Sequence, residues 1–238
     1  GSLLGGTGWQ TRFEFDAFCA ARDRSIHSIA VLDHWTNYRE RFERGGLCCL
    51  PDALWVGDED ALALAGERLP SVPATLVPNP YFADLRERLA QLGRSAPRQT
   101  SAGVRVLYVC EPVREPALRQ FGDERHWGYT EEEALQFALE RLPRLGSAIA
   151  QVVLRPHPSE SPTKYDRQWL ASDLPVCRGG ARDLLAEVAD SDWVVGCNSM
   201  AMVVGLLAGK RVLSAIPPTG GACALPQRAI EMLRDLAS

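Results

Sequence analysis

The chain has 238 residues, 46% of them hydrophobic and 24% charged, a globular balance that excludes a disordered polymer and leaves room for one or two domains. A formal net charge of −4 gives no electrostatic footprint for a nucleic-acid backbone, although every basic residue except Lys164 and Lys210 is arginine. No apolar run approaches bilayer-spanning length and no basic-then-apolar leader opens the sequence, so the expectation is a soluble, cytoplasmic protein. It has no transmembrane segment and no nucleic-acid partner on this reading, with room left for peripheral membrane association. The seven cysteines are odd in number and form no C-x-x-C pair, which reads as reduced, mostly buried small hydrophobes.

Strand and helix signals alternate along the chain. Gly1-Ser2 reads as the remnant of a removed tag, so the first strand, ending at Gly5-Gly-Thr-Gly8, is expected to be cut short. Then come a helix over 13–22, a buried strand over 28–32 ending at Asp33-His34-Trp35, a helix over 37–44, a strand over 53–56, a helix from the Asp58 cap to 68 and a strand over 74–77. Residues 93–103, rich in Gly, Ser and Pro, read as a linker between a first domain over 1–92 and a second over 104–238.

The second half predicts a strand over 104–110, a long loop, and a helix over 130–142 opened by a Thr130/Glu133 capping box. After it come strands over 150–154 and near 176, a helix over 181–189, a strand over 193–195, a helix over 199–207, a strand over 211–216 and a C-terminal helix over 226–236. Parallel strands need helix-sized crossovers, so the fold class is α/β. Two Rossmann-like parallel-sheet domains facing a cleft are expected, the first truncated.

In open parallel sheets ligands gather beyond the C-terminal strand ends. The polar residues expected there are Glu111, then Arg155-Pro156-His157-Pro158-Ser159-Glu160, then Gly196-Cys197-Asn198-Ser199-Met200. Ser199 at a helix N-cap either simply caps that helix or, with the following amides and the helix dipole, holds a phosphate. Two prolines fix the backbone around Arg155 and His157, which either both donate to phosphoryl oxygens or form a stiffened loop with a solvated histidine, and Lys164 downstream either adds charge or is a surface lysine. In the first half the Gly6-Thr7-Gly8 turn leaves backbone open to a ligand. Asp33, His34 and Trp35 join a candidate general base to a stacking ring; alternatively Asp33 caps a helix and Trp35 is core. Residues 79–81 and the loop 122–129 read as polar and aromatic segments able to line a cleft. No zinc-protease, serine-hydrolase or P-loop motif is present, and no metal site is indicated.

The stretch Leu154-Arg-Pro-His-Pro158 is similar to the His-Pro motif of bacterial sialyltransferases, capsule Kdo transferases and teichoic-acid polymerases. Asp192-Trp-Val-Val-Gly-Cys-Asn-Ser-Met200 through Ala208-Gly-Lys-Arg-Val212 resembles the nucleotide-binding domain of GT-B-fold glycosyltransferases, the resemblance covering about residues 104–217. It implies that His157 and Ser199 contact the phosphate of a CMP- or CDP-linked donor. Many GT-B enzymes carry a Glu in the helix after the Ser; Val203-Val-Gly205 stands there instead, which disfavours UDP-sugar, retaining and epimerase chemistry.

The expected function is an inverting, metal-independent glycosyltransferase of bacterial surface polysaccharide synthesis. A nucleotide-activated sugar is the substrate, a glycan or lipid-linked acceptor the partner, and no cofactor is required. Asp33 is the base, and His157, Arg155 and the Ser199 helix terminus stabilise the leaving phosphate, with Glu111, Gly196, Asn198 and Met200 lining that site. Gly6, Thr7, Gly8, His34 and Trp35 form the acceptor side. The alternatives are a non-catalytic nucleotide- or glycan-binding GT-B-like protein and a sugar-nucleotide hydrolase or epimerase.

Overall fold

The computed structural model describes residues 1–8, 11–95, 103–161 and 163–236, a mixed α/β structure with two parallel sheets and one short hairpin. By contact it divides into one unit of Gly1–Tyr81 with Ala224–Pro226 and another of Phe82–Cys223 with Gln227–Ser238. Of the linker expected at 93–103, residues 96–102 lie outside the described residues, and Gly93 lies within a helix.

The first unit carries a four-stranded parallel sheet in the order β1 (Ser2–Gly5), β2 (His27–Leu32), β5 (Ala53–Val56), β6 (Ala74–Leu76). Helix α1 (Phe13–Asp23) buries Phe15, Phe18 and Ala21, and α2 (Glu59–Arg68) starts at Asp58, whose carboxylate accepts from the Ala61 N–H at 2.7 Å. The helix expected over 37–44 does not form. Asn37 adopts left-handed backbone at φ 58°, and a single 3-10 turn, Glu40–Phe42, leads into a hairpin of β3 (Glu43–Arg44) and β4 (Leu47–Cys48). The hairpin turns on Gly45 and Gly46, both left-handed, a conformation glycine adopts without steric cost. Burial of Arg41 and Phe42, the latter edge-on to Phe18 at 5.9 Å, overrides the helix propensity of this charged segment.

Residues 79–81 open a helix that the strand and helix signals did not predict. The Asn79 side chain accepts from the Tyr81 N–H at 3.0 Å, and Pro80 opens α3 (Pro80–Ser95), a position where its missing N–H costs nothing.

The second unit carries six parallel strands in the order β12 (Ile230–Met232), β11 (Arg211–Ser214), β10 (Trp193–Gly196), β7 (Val104–Val109), β8 (Ile149–Arg155), β9 (Val176–Arg178). Strands β7, β8 and β9 step outward one way and β10, β11 and β12 the other. This is a doubly wound order, and its direction reverses between β7 and β10. Every residue of β10 is buried, as a parallel strand covered on both faces requires.

Around the sheet lie α4 (Arg114–Phe121), α5 (Glu131–Arg141), α6 (Asp166–Leu170), α7 (Leu184–Asp190) and α8 (Met200–Leu207). The Thr130/Glu133 capping box on α5 is present in both directions. Helix α4 occupies part of the segment expected to be a long loop, and α6 was not expected at all. The C-terminal helix expected over 226–236 is instead β12 and a 3-10 turn, Leu233–Asp235. Pairing with the β11 edge decides this, because Glu231 there meets the Arg211 guanidinium in two 2.8 Å bonds and Leu233 is fully buried.

Candidate functional site

The reversal between β7 and β10 places two loops of unlike chemistry side by side. Beyond β7 come Cys110 and Glu111; beyond β10 come Cys197, Asn198 and Ser199. Glu111 Oε1 accepts the Asn198 N–H at 2.8 Å, joining the loops across the switch point. Burial raises the Glu111 carboxyl from 4.5 to about 7; the Asn198 N–H pulls it down, and the nearby Glu160 charge adds to the rise. Ser199 is the N-cap of α8, accepting from the Ala201 N–H at 3.2 Å. Ser199 and Met200, the N-cap and first residue of α8, carry amides that no carbonyl within the helix can reach. Asn198 Nδ2 lies 3.5 Å from the Tyr129 hydroxyl, which ties loop 122–129 to this site.

Strand β8 neighbours β7, so the starts of the loops after β8, β7 and β10 lie within about 10 Å of one another. Pro156 ends β8 and His157 follows. His157 Nδ1 accepts from the Ser159 N–H at 3.2 Å and lies 2.7 Å from the Ser159 hydroxyl, which leaves the proton on Nε2 of an exposed side chain, available as a donor. The His157 N–H donates to Glu160 Oε2 at 3.0 Å.

Several expected site residues serve other ends. Arg155 donates one guanidinium nitrogen to both Glu187 Oε2 at 2.6 Å and the Arg182 carbonyl at 2.9 Å, so α7 and its flank hold the group by that side. Lys164 is neither free nor a surface lysine: its ammonium bridges Glu131 and Glu160. Gly196 is a packing glycine, since a Cβ there would lie 2.7 Å from Val109 Cγ2 and 3.2 Å from Met202 Sδ. The stretch Val203-Val-Gly205 is buried, and a Cβ on Gly205 would meet Val194 Cγ2 at 2.9 Å, so α8 has no space there for a ligand-facing Glu.

The first unit has an open pocket of about 520 Å³ beyond β2, lined by Thr7, Gly8, Thr11, Glu14, Asp33, His34, Thr36, Asn37 and Arg41. Its organiser is Arg41, only 5% exposed, which donates to the Thr7 carbonyl at 2.9 Å, the Thr7 hydroxyl at 2.8 Å, the Thr36 carbonyl at 3.1 Å and Asp33 Oδ1 at 3.0 Å. Asp33 is 76% exposed, so Arg41 orients a carboxylate whose outer oxygen faces solvent. Burial, then the Arg41 charge, lowers the His34 pKa, with Asp33 opposing, which keeps the imidazole neutral at pH 7. Thr7 is buried and committed to Arg41 and the Val31 carbonyl; Gly6 is exposed and outside the pocket; Gly8 lines it. Trp35 is not a stacking surface: it is buried core, its indole N–H bonded to both Asp58 oxygens at 3.0 and 3.1 Å.

No protein-family model matches the sequence, and no curated protein matches it. Among solved structures the chain is similar to Thermosulfurimonas dismutans KpsC, a beta Kdo 2,4 transferase. The TM-score is 0.37 and the identity 16%, over 89% of this chain and 67% of that one.

Sequence reasoning missed Arg41, Glu14, Glu131 and Tyr165, and saw in Glu160 only a polar neighbour of His157. Nothing local marks them. Arg41 sits in a segment that reads as helix, and Glu131 in the first turn of α5, where acids are ordinary helix-dipole partners. Among the described residues no helix is long and apolar enough to cross a membrane.

Proposed function

We propose that the chain is an inverting, metal-independent glycosyltransferase of bacterial surface polysaccharide synthesis, with two Rossmann-like domains. The second holds a nucleotide-activated sugar, CMP-linked or similar, and the first a glycan or lipid-linked acceptor. The observation that carries this is the switch point: Glu111 bonded to Asn198, the amides at the Ser199 cap, and the Nε2–H of His157 follow three adjacent parallel strands. Helix amides and an imidazole N–H at one strand edge form an anion site.

In the proposed reaction Asp33, oriented by Arg41, takes the proton from an acceptor hydroxyl as that oxygen attacks the anomeric carbon. The bond from that carbon to the phosphate breaks, and the charge left on the phosphate is met by His157 Nε2–H and the α8 amides, which act without reorganising. Glu14 and Asp33 flank the pocket, and all four assigned Arg41 bonds go to protein oxygens, so the pocket suits a hydroxyl-bearing acceptor.

Calorimetry of the full chain against CMP, CDP, UDP and GDP tests the reading. Binding of a cytidine nucleotide is expected, and no binding by any of the four overturns it. Donor and acceptor incubated together separate transfer from hydrolysis, since product from donor alone marks a hydrolase.

A further inference from the structure

Behind the His157 loop lies a cluster of buried charge that the proposed reaction does not use. The Glu160 side chain is 3% exposed and that of Glu131 4%, and Lys164 stands between them. Glu160 Oε1 accepts from the Lys164 ammonium at 2.8 Å and the Tyr165 hydroxyl at 2.7 Å, while Oε2 takes the His157 N–H. The ammonium also donates to Glu131 Oε1, and Glu131 Oε2 accepts the Arg114 N–H at 2.8 Å and the Val113 N–H at 3.3 Å. Val113 and Arg114 begin two residues beyond Glu111. One lysine therefore ties the loop after β8, which carries His157, to the loop after β7, which carries Glu111.

Taking two carboxylates out of water is costly before compensation, and apolar side chains of similar volume often serve stability equally well. What an apolar cluster does not supply is a fixed acceptor for the His157 N–H. With Glu160 on the main chain and Ser159 on Nδ1, both the backbone position and the tautomer of His157 are set, so the proton stays on Nε2. Outer partners of this kind govern how well a contacting group performs.

We propose that Glu160, held by Lys164, Glu131 and Tyr165, is a positioning residue for His157 that couples the two loops of the anion site. This rests on the phosphate role of His157 given above. Glu160→Gln keeps the size of the side chain but leaves one oxygen to serve three donors.

The test reads the imidazole nitrogens of the full-length 15N-labelled chain by NMR, with the His157 pair among the four histidines assigned by its loss in His157→Ala. The parent should show well-separated Nδ1 and Nε2 signals, as for a single tautomer. In Glu160→Gln they should move toward the averaged positions of a free imidazole, and CMP affinity should fall about tenfold, the lower end of what losing an outer partner costs. Unchanged His157 signals in a folded Glu160→Gln protein overturn the proposal. If that variant does not fold, Tyr165→Phe, which removes one donor from Glu160, decides in its place: a smaller shift of the same signals supports the proposal and none overturns it. If the parent binds no CMP, the nucleotide reading fails while the nitrogen signals still decide the positioning role.

Discussion

The sharpest quantitative consequence of the switch-point geometry concerns Glu111. Its carboxyl titrates at 4.5 when unfolded and about 7 when folded, chiefly because burial disfavours the charged form. Between those values the folded protein binds the extra proton, so Glu111's contribution to stability is fully present below pH 4.5 and is lost as pH rises through 7. At about 1.4 kcal/mol per pH unit the full loss is at most about 3.5 kcal/mol. Glu111→Gln keeps an oxygen for the Asn198 N–H and cannot ionise. Relative to the parent it should gain stability with pH, the gap widening by about 2 kcal/mol between pH 5.5 and pH 8. Urea unfolding followed by tryptophan fluorescence at the two pH values measures this, and titrations shared by both proteins cancel in the difference. A gap that stays constant, or one that narrows, refutes the claim that Glu111 is a half-buried group that holds its proton in the folded state.

Three further outcomes follow from named contacts. His157→Ala should weaken CMP binding by roughly tenfold or more, the loss of one hydrogen bond to a charged group, as read by calorimetry with thermal unfolding unchanged. Asp33→Asn should slow transfer by about 10²–10⁴-fold in a product assay while leaving CMP affinity at the parent value, because the base acts on the acceptor alone. Gly128→Ala should lower stability by about 1–3 kcal/mol in a denaturant titration, since Gly128 has φ 84° and a Cβ there would lie 2.1 Å from the Thr219 carbonyl oxygen.

Most strands were legible in the sequence because strands buried on both faces, such as Val104–Val109 and Trp193–Gly196, appear as continuous apolar runs. The caps at Asp58, Thr130 and Ser199 were legible for a local reason, a short polar side chain bonding an amide two or three residues on. Segments whose conformation is set by distant partners were not. Residues 37–44 have helical composition, yet Arg41 must reach Thr7, 34 residues away, and Phe42 must reach Phe18. The C-terminal segment has helical composition too, and the open edge of β11 draws it into a strand.

The candidate site divides along the same line. Glu111, His157, Asn198 and Ser199 were placed by a rule about strand ends that needs only the alternation of apolar runs and turns. Trp35, Arg155 and Gly196 stand at equally suggestive positions, and only tertiary packing shows that the first is core, the second is paired with Glu187 and the third makes room for Val109. Strand order belongs to that second class as well. The sequence by itself determined which segments are strands and which residues follow them, because burial pattern and capping are short-range. The tertiary structure alone decided that β7 and β10 are neighbours and that Lys164 joins Glu131, 33 residues away, to Glu160, because pairing and ion contacts depend on where the chain returns.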